Sequence, residues 1–246
     1  SRGSMGITLL YEHDPAPKIC SAIAKALSSS PSKQLLVEEF IDGELLTIDG
    51  FLLNGNLILL GIAERQRTGE GMLVTTRICY RSNLPKDLIR QAYNFLHSVV
   101  VAFGYSKGHV HCEALLVNSK DLFLVECTNR GGGVFTSSTI NPYVSTLDVN
   151  LMYMQEKCCI QVDDVVENDN LTHFVNTNSA SLVFPTLGSP GQVLYRFDVE
   201  NIRNHPDVLA VHLFQKVGRP LSIQADGPSR HCAMVIKNAD PDTIDD

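Results

Sequence analysis

The sequence predicts an α+β fold, because strand-like and helical segments follow one another without the regular alternation of βαβ units. Residues 17–27 and 82–104 carry apolar side chains at helical spacing. Residues 180–243 are instead rich in short apolar runs separated by Gly turns, which is typical of strands. With 246 residues and 44% hydrophobic content, the chain can bury the core of one large or two small domains.

The composition excludes several classes of partner. A net charge of −7 argues against a general nucleic-acid or membrane surface, because affinity for phosphate needs clustered Lys and Arg. We find no apolar run that approaches a membrane span and no secretory signal in the sequence. The seven cysteines form no Cys-x-x-Cys pair and lie mostly in apolar runs, as reduced buried thiols do. We therefore expect a cytoplasmic protein without nucleic-acid or membrane partners.

The first third of the chain predicts one helix and four strand-like runs, the last of which contains a hairpin turn. The strand-like runs are residues 7–11, 35–40, 44–49 and 51–62. Asn54-Gly55 is a strong hairpin signal inside the last of these runs. The helix over residues 17–27 ends in a Ser-rich segment before Pro31.

The clearest helix spans residues 82–104. Ser82 or Asn83 can cap it, Pro85 suits its first turn, and Gly104 ends it. Beyond the next pair of strands, two further helices are predicted. One runs from a cap at Ser145 or Thr146 to about residue 158, and a short one covers residues 198–204.

Two acidic residues interrupt the apolar runs of residues 111–128. Glu113 opens one run, Glu126 closes the other, and a polar turn centred on Ser119 and Lys120 separates them. In this register Glu113 lies directly opposite Glu126, with Cβ atoms about 4.5–5.5 Å apart. Both faces of the hairpin are apolar, so we expect a buried strand pair.

Two carboxylates at this separation cannot both stay ionised in a low dielectric unless a cation joins them or one is protonated. Hard oxygen ligands favour Mg²⁺, or the similar Mn²⁺, completed by phosphate oxygens. In the alternative interpretation the register is slipped, and each glutamate lies at a sheet edge in water. Because both acids lie at the same end of the hairpin, the sequence favours the metal.

Three segments resemble motifs of the ATP-grasp superfamily. Residues 37–44, Val-Glu-Glu-Phe-Ile-Asp-Gly-Glu, resemble its hinge. Residues 126–133, Glu-Cys-Thr-Asn-Arg-Gly-Gly-Gly, resemble the end of its metal-binding strand pair and the substrate loop that follows. Residues 1–7, Ser-Arg-Gly-Ser-Met-Gly-Ile, resemble its glycine-rich phosphate loop. The order and spacing of all three agree, and the tail of the chain resembles, more weakly, the C-terminal subdomain of ATP-grasp amino-acid ligases.

The resemblance implies a mixed, largely antiparallel sheet flanked by helices. It divides the chain into the remainder of a lid subdomain at residues 1–40, a core with the metal site at 41–165, and a small β-rich C-terminal subdomain at 166–246. The family's N-terminal domain and phosphate-contacting lysines precede the glycine loop, so we expect this chain to be an incomplete enzyme that lacks them. The expected protein partner is either this missing N-terminal domain or a second copy of the chain in a homo-oligomer. Residues 1–5 are interpreted as native loop, with the remnant of a cleaved expression tag as the alternative.

The resemblance also implies an ATP site. The implied contacts are Ser1, Gly3, Ser4 and Gly6 with the phosphates, backbone groups of Glu39 and Ile41 with the adenine edge, Glu38 with the adenine amino group, and Glu44 with the ribose hydroxyls. For the three glutamates the alternative is a solvated strand end.

In the same way, the resemblance assigns roles around the acidic hairpin. Glu113 and Glu126 would hold Mg²⁺ against the ATP phosphates. Arg130 would be catalytic, with a fork that fits a carboxylate or an acyl-phosphate. The loop glycines Gly131, Gly132 and Gly133 would let backbone N–H groups approach an anion.

Three details near this loop stay open. His111 either orients a ligand or is an ordinary core histidine. Many family members carry Asn as a further metal ligand where this chain has Thr128, and its Asn129 comes one residue later. Arg130 could also form a surface salt bridge, which the adjacent glycines make the weaker interpretation.

The resemblance implies an ATP-dependent carboxylate–amine ligase that forms an amide or peptide bond through an acyl-phosphate. Its substrates would be a small-molecule carboxylate and an amine, with amino acids favoured. The alternatives are a biotin-carboxylase-like or carbamoyl-phosphate-forming enzyme, and a non-catalytic ATP-grasp fragment.

Overall fold

The computed structural model describes residues 4–68, 74–158, 175–224 and 226–237. One antiparallel sheet of eight strands runs through these residues, and the α+β prediction is confirmed. In chain order the strands are β1 (Glu44–Leu53), β2 (Asn56–Thr68), β3 (Val74–Tyr80), β4 (Gly108–Val117), β5 (Asp121–Thr128), β6 (Ala180–Val183), β7 (Val208–Leu213) and β8 (Cys232–Lys237). Their spatial order is β5-β4-β1-β2-β3-β6-β8-β7, so β5 and β7 form the two edges.

Five α-helices accompany the sheet in the described part of the chain. They are α1 (Ala16–Ser29), α2 (Lys86–Ala102), α3 (Asn141–Ser145), α4 (Val149–Cys158) and α5 (Val199–Arg203). A π-helical turn, Thr136–Ile140, leads directly into α3. The four predicted helices correspond to α1, α2, α4 and α5. Within the described residues, no helix has the length and apolarity that crossing a membrane requires.

The sheet carries a hydrophobic core on each of its faces. On one face, Leu96 of α2 packs in a cluster with Leu46 of β1 and Cys112 of β4. On the other face, Met152 of α4 packs in a cluster with Phe51 of β1. We call these the α2 face and the α4 face. Fully burying one such large apolar side chain contributes about 1.5–3 kcal/mol. Because β1 and β2 are covered on both faces, their sequences are nearly continuous apolar runs.

The first hairpin forms at the predicted turn, with Asn54 and Gly55 both at positive φ. The strand boundary expected after Asp49 is wrong, because β1 continues through Gly50 to Leu53. Gly50 is part of the packed strand, since a Cβ there would lie 2.9 Å from Leu96 Cδ2. The irregularity falls in β2 instead, where Leu60 is an extra residue opposite the step from Asp49 to Gly50.

In the acidic hairpin the turn differs from the prediction, but a bulge restores the predicted pairing of the two glutamates. The predicted turn is wrong, because Val117 pairs with Asp121 and leaves a three-residue turn centred on Ser119, with Asn118 and Ser119 at positive φ. The pairing beside the turn is therefore shifted by one residue. A bulge at Val125 then shifts the register back. Glu113 therefore pairs with Glu126, as predicted.

The strands expected at residues 7–11 and 35–40 are wrong. The first segment is irregular and ends in a turn, and the second has no regular structure. Leu36 and Val37 are 85% and 87% exposed. A strand needs a neighbour for its backbone N–H and C=O groups, and no strand among the described residues pairs with either segment. Apolar composition alone was therefore insufficient to predict a strand at these two segments.

The two predicted helix caps are also wrong. Asn83 has a φ of 62°, and Pro85 occupies the cap position of α2. At α4 the cap is Asp148, whose Oδ1 accepts a 2.8 Å hydrogen bond from the Leu151 N–H, while Thr146 adopts a left-handed conformation. Asp is among the preferred capping residues, since its carboxylate satisfies an otherwise free N–H in the first turn.

Candidate functional site

Glu113 on β4 and Glu126 on β5 lie directly opposite one another. Each alternates with a cysteine, Cys112 or Cys127, that packs in or against the cluster of the α2 face. Because successive side chains of a strand point to opposite faces, both carboxylates lie on the α4 face. The side chain of Glu113 is 15% exposed, whereas Glu126 is exposed.

The expectation of a buried strand pair is wrong for β5. Phe123, Leu124 and Val125 are 42%, 42% and 50% exposed. Strand β5 is at the edge of the described sheet, where β4 is its one neighbouring strand. Strand β4 lies between β5 and β1 and is largely buried. The edge position leaves Glu126 accessible from solvent while Glu113 is held inside the sheet.

Arg65 reaches Glu113 from β2, which lies on the far side of β1. On the intervening strand, Thr47 pairs with Glu113 on one side and with Ala63 on the other. Arg65 Nη1 forms an ion pair with Glu113 Oε1, and the Arg65 side chain is only 12% exposed. This guanidinium supplies a cation of the kind that two opposed carboxylates require in a low dielectric.

A buried hydrogen-bonded group lies next to this ion pair. His111 Nδ1 is 2.7 Å from Asp49 Oδ1, and Tyr80 Oη donates a 2.7 Å hydrogen bond to Asp49 Oδ2. Asp49 is completely buried. Burial alone would lower the pKa of His111, but the charge and hydrogen bond of Asp49 outweigh it and raise that pKa to about 9. Burial, followed by the Asp49 charge, raises the pKa of Tyr80.

The two neighbouring cations hold Glu113 ionised. Burial opposes its ionisation, but the adjacent His111 and the charge of Arg65 outweigh burial and lower the pKa of Glu113 to about 2. His111 Nε2 lies 3.8 Å from Glu113 Oε1, a distance at which charge acts without a hydrogen bond. The site is thus a row of alternating charges: Asp49, His111, Glu113 and Arg65.

The glycines after β5 pack closely against two histidines and the π-helical turn. A Cβ on Gly132 would lie 2.6 Å from Thr136 Cγ2 and 2.9 Å from His111 Nδ1. A Cβ on Gly131 would lie 2.3 Å from Ser137 Cβ. No atom of the described residues lies within 4 Å of the Cβ position of Gly133. Two of the three glycines are therefore required by packing, and Gly133 alone faces open space.

Arg130 is exposed at the start of this loop, where its Nη1 donates a 2.8 Å hydrogen bond to the carbonyl of Gly131. Asn129 ties the loop to the start of β4, because its Nδ2 donates to the carbonyls of Lys107 and His109 at 3.0 and 2.9 Å. Thr128 Oγ1 donates to the His111 carbonyl at 3.4 Å. The Asn129 side chain is thus bonded to backbone carbonyls and not to the carboxylate pair.

The residues assigned to the nucleotide occupy the irregular segments before β1. Ser1 and Gly3 lie outside the described residues. Ser4 begins a turn, and Gly6 has a φ of 77° and packs against α1, where a Cβ would lie 2.9 Å from Ser29 Cβ.

The hinge residues Glu38 and Glu39 are exposed, and Ile41 is partly buried. Glu44 is exposed at the start of β1, three residues before Thr47, so it lies roughly 10 Å along the strand from the level of Glu113. Their contacts with a nucleotide stay predictions.

The donor set of the carboxylate pair fits a hard divalent cation. Glu113 and Glu126 present oxygen ligands from adjacent paired residues, and one of them opens to solvent, where phosphate or water can complete the coordination. Among the described residues, no group of three or more His, Cys, Asp and Glu side chains could hold a metal by itself. A depression of about 410 Å³ elsewhere is lined by Leu187, Gln192, Val193, Leu194, Tyr195 and Leu221, none of which is an acid or a base at neutral pH.

Two members of the charged row, Asp49 and Arg65, were missed from the sequence, and so was Tyr80, which donates to Asp49. Asp49 sits inside an apolar strand, as Glu113 does, and the same signal could have identified it. Arg65 and Tyr80 carry no such local signal, since each joins the site only through the order of strands in the sheet. His111 was left between a ligand-orienting and a core role, and the structure makes it a buried partner of Asp49.

Comparison with known protein families identifies one match. The model of a family described as the ATP-grasp domain matches residues 3–138, more than half of the chain. A comparison with curated protein sequences found no match.

Solved structures with this fold include several ligases and carboxylases. L-amino acid ligase from Bacillus licheniformis has a TM-score of 0.65 at 16% identity, over 82% of this chain and 50% of that one. Phosphoribosylglycinamide synthetase from Anaerococcus prevotii has a TM-score of 0.59 at 13% identity, over 96% and 58%. Biotin carboxylase from Campylobacter jejuni, in a complex with an ATP compound, has a TM-score of 0.65 at 13% identity, over 96% and 51%. This chain therefore spans about half the length of these structures.

The glycine packing gives a matched pair of substitutions. Gly132→Ala should lower the free energy of unfolding by about 1–3 kcal/mol, because its Cβ would overlap Thr136 and His111. Gly133→Ala should change it by less than about 0.5 kcal/mol, because that Cβ has no neighbour within 4 Å among the described residues. Urea unfolding of both variants measures the difference. Equal midpoints would show that the loop does not pack on His111 in this way.

The raised pKa of His111 gives a pH prediction. His111 should stabilise the fold fully below its ordinary pKa of 6.5, and this contribution should be lost as the pH rises through about 9. Asp49→Asn should lower the pKa of His111, because burial is then opposed by Glu113 without the larger contribution of Asp49. NMR titration of the histidine ring protons checks this, with the exposed His212 as the internal reference. A midpoint for His111 that is the same in both proteins would contradict the pairing.

Proposed function

This chain belongs to the ATP-grasp domain family, and on that basis we propose that it is the ATP-binding and metal-binding part of a carboxylate–amine ligase. The observation that carries the proposal is the opposed pair Glu113 and Glu126, beside a loop that begins with Arg130. Such a pair on adjacent strands suits a divalent cation that also binds phosphate oxygens.

Glu113 and Glu126 would hold Mg²⁺ or Mn²⁺. When bound there, the cation would neutralise phosphate charge as the γ-phosphoryl group leaves ATP. The low pKa of Glu113, about 2, supports this role because the ligand is ionised at neutral pH. Its partner Glu126 would meet the nucleotide phosphates at the exposed edge.

Nucleotide recognition would come from the segments before β1. Backbone groups of Glu39 and Ile41 would meet the adenine edge, with Glu38 at its amino group and Glu44 at the ribose. The exposure of the three glutamates supports their availability to a ligand. Ser4 and Gly6 would cover the phosphates together with the residues before them.

Arg130 would bind the substrate carboxylate and stabilise its phosphorylated form. ATP would transfer its γ-phosphoryl group to that carboxylate, and the amine would then attack the acyl carbon and expel phosphate. Arg130 is exposed, and its fork retains donors beyond the one that meets the Gly131 carbonyl. Gly133, which faces open space, would offer the approach to backbone N–H groups.

Amino acids are the proposed substrates, and the fold of the L-amino acid ligase from Bacillus licheniformis is consistent with this class. A second candidate is a bicarbonate-dependent reaction, because biotin carboxylase shares the fold to a similar degree. The non-catalytic alternative is a fragment that binds nucleotide weakly. One fold hosts several chemistries, so the product decides among these.

The deciding experiment is an amino-acid panel screened for ADP release by the full-length protein that carries this chain. We expect ADP release to require both a divalent cation and amino acids, and Glu126→Gln to reduce it steeply. Glu64→Gln, which changes an exposed carboxylate next to Arg65, is the matched control and should retain activity. ADP release that depends on bicarbonate but on no amine would favour the second candidate. No release under any condition would favour the non-catalytic fragment.

Substitutions of Arg130 and Glu44 should affect different kinetic parameters. Glu44 should touch only the ribose, so Glu44→Ala should raise the KM for ATP with little change in kcat. Arg130 should meet charge that develops during transfer, so Arg130→Ala should lower kcat by roughly 10²-fold or more. Arg130→Lys should recover little, because a point charge cannot reproduce a bidentate fork. Steady-state kinetics that show near-parental kcat for Arg130→Lys would reject the catalytic role.

A further inference from the structure

Three arginines gather on the sheet next to the carboxylate pair. Arg65 and Arg67 come from β2, and Arg230 comes from the residues just before β8. Each has a fixed anchor: Arg65 pairs with Glu113, and Arg67 Nη2 donates to the Gly43 carbonyl at 3.1 Å. Arg230 Nη2 donates to a carbonyl of β3 at 3.4 Å.

Arg230 is also oriented by an aromatic ring. Its guanidinium carbon lies 3.5 Å from the centre of the Phe184 ring, so the flat cation rests on the aromatic face. Stacking of this kind fixes the plane of the guanidinium and leaves the N–H groups at its edge free to donate. The side chain is therefore held in place before any ligand arrives.

The hydrogen-bonding capacity of these arginines is incompletely used. Nε of Arg65 and Nε of Arg230 are both buried, and neither has a hydrogen-bond partner among the described residues. A buried donor without a partner is destabilising, and more so when the group is charged. Native proteins rarely leave buried donors unpaired, so each of these two donors is expected to meet a partner from outside the chain.

Electrostatic repulsion among these arginines also favours a bound anion. The charge of Arg65 acts on Arg67 more strongly than the opposing carboxylate of Asp42 does. It also acts on Arg230 more strongly than either Glu113 or Asp226 alone. Burial, followed by the charge of Arg65, lowers the pKa of Arg230 to about 10. An oxyanion between these groups would relieve both the repulsion and the unsatisfied donors.

We propose that Arg65 and Arg230 form an oxyanion-binding site beside Glu113, which takes a carboxylate or a phosphoryl group through the two free Nε–H donors. Arg67 adds positive charge without direct contact. The proposal rests on the proposed function only for the source of the oxyanion, either the substrate carboxylate or a phosphate of the nucleotide. The site would hold one reacting partner on the inner side of the carboxylate pair, whereas Arg130 acts from the exposed loop.

The test is arginine Nε–Hε NMR on the chain of 246 residues, titrated with sodium phosphate or sodium acetate at constant ionic strength. We expect saturable shifts of the Arg65 and Arg230 signals. Saturation at a lower concentration of phosphate than of acetate assigns the site to a phosphoryl group, and the reverse order assigns it to a carboxylate. Shifts that do not saturate with either probe would overturn the proposal.

Conservative variants supply the second measurement. Arg65→Lys and Arg230→Lys keep the charge but lose the Nε donor, so each should weaken binding of the preferred anion about tenfold or more. Arg196→Lys, at an arginine whose side chain is 87% exposed, is the matched control and should bind as the parent does. Parental affinity in Arg230→Lys would overturn the proposal. If a variant does not fold, as circular dichroism would show, the titration of the parent decides alone.

The ligase function and the oxyanion-binding site can be rejected independently of one another. Anion binding requires no ATP turnover, so saturable titration without ADP release by the full-length protein would reject the ligase function and retain the site. ADP release with no anion binding by Arg65 and Arg230 would retain the ligase function and reject the oxyanion site.

Discussion

A completely buried carboxylate must be neutralised, and the neutralisation of Asp49 organises the centre of this protein. Asp49 belongs to β1, His111 to β4 and Tyr80 to β3, so one side chain ties together three strands. Leaving such a charge without partners would cost several kcal/mol. The strands therefore have one register in which Asp49, His111 and Tyr80 meet. In that register the side chains of β4 alternate so that Glu113 shares the face of His111.

The same interaction extends to the carboxylate pair. Because Asp49 raises the pKa of His111, this histidine is a cation near neutral pH and helps to keep Glu113 ionised. Arg65 supplies the second positive charge from the other side. The row alternates in sign from Asp49 to Arg65, so each charge is compensated by its neighbour. Glu126, the other carboxylate of the pair, lies outside this row and is exposed to solvent.

The loop after β5 depends on the histidines as well. Gly131 and Gly132 allow the backbone to pass close to Ser137, Thr136 and His111, and Asn129 holds the loop to the start of β4. His109 is fixed in turn by Phe51, with ring centroids 5.0 Å apart. The position of Arg130 is thus set by the packing of its neighbours. Glycine in this loop serves close packing at two positions, and only Gly133 remains free for the anion contact that the family resemblance implies.

The sequence by itself determined four of the five described helices and the turn of the first hairpin, because these depend on spacing within short stretches of chain. It also placed Glu113 opposite Glu126, but that pairing depends on the bulge at Val125, which the sequence did not predict. It missed the edge position of β5 and predicted two strands before β1 that do not form. Only the tertiary structure decided the partners of the charges: Asp49 and His111 are 62 residues apart, and Arg65 meets Glu113 across an intervening strand. Local pattern specifies which face of a strand a residue occupies. The order of strands in the sheet, which follows from packing of the whole chain, specifies what that residue meets there.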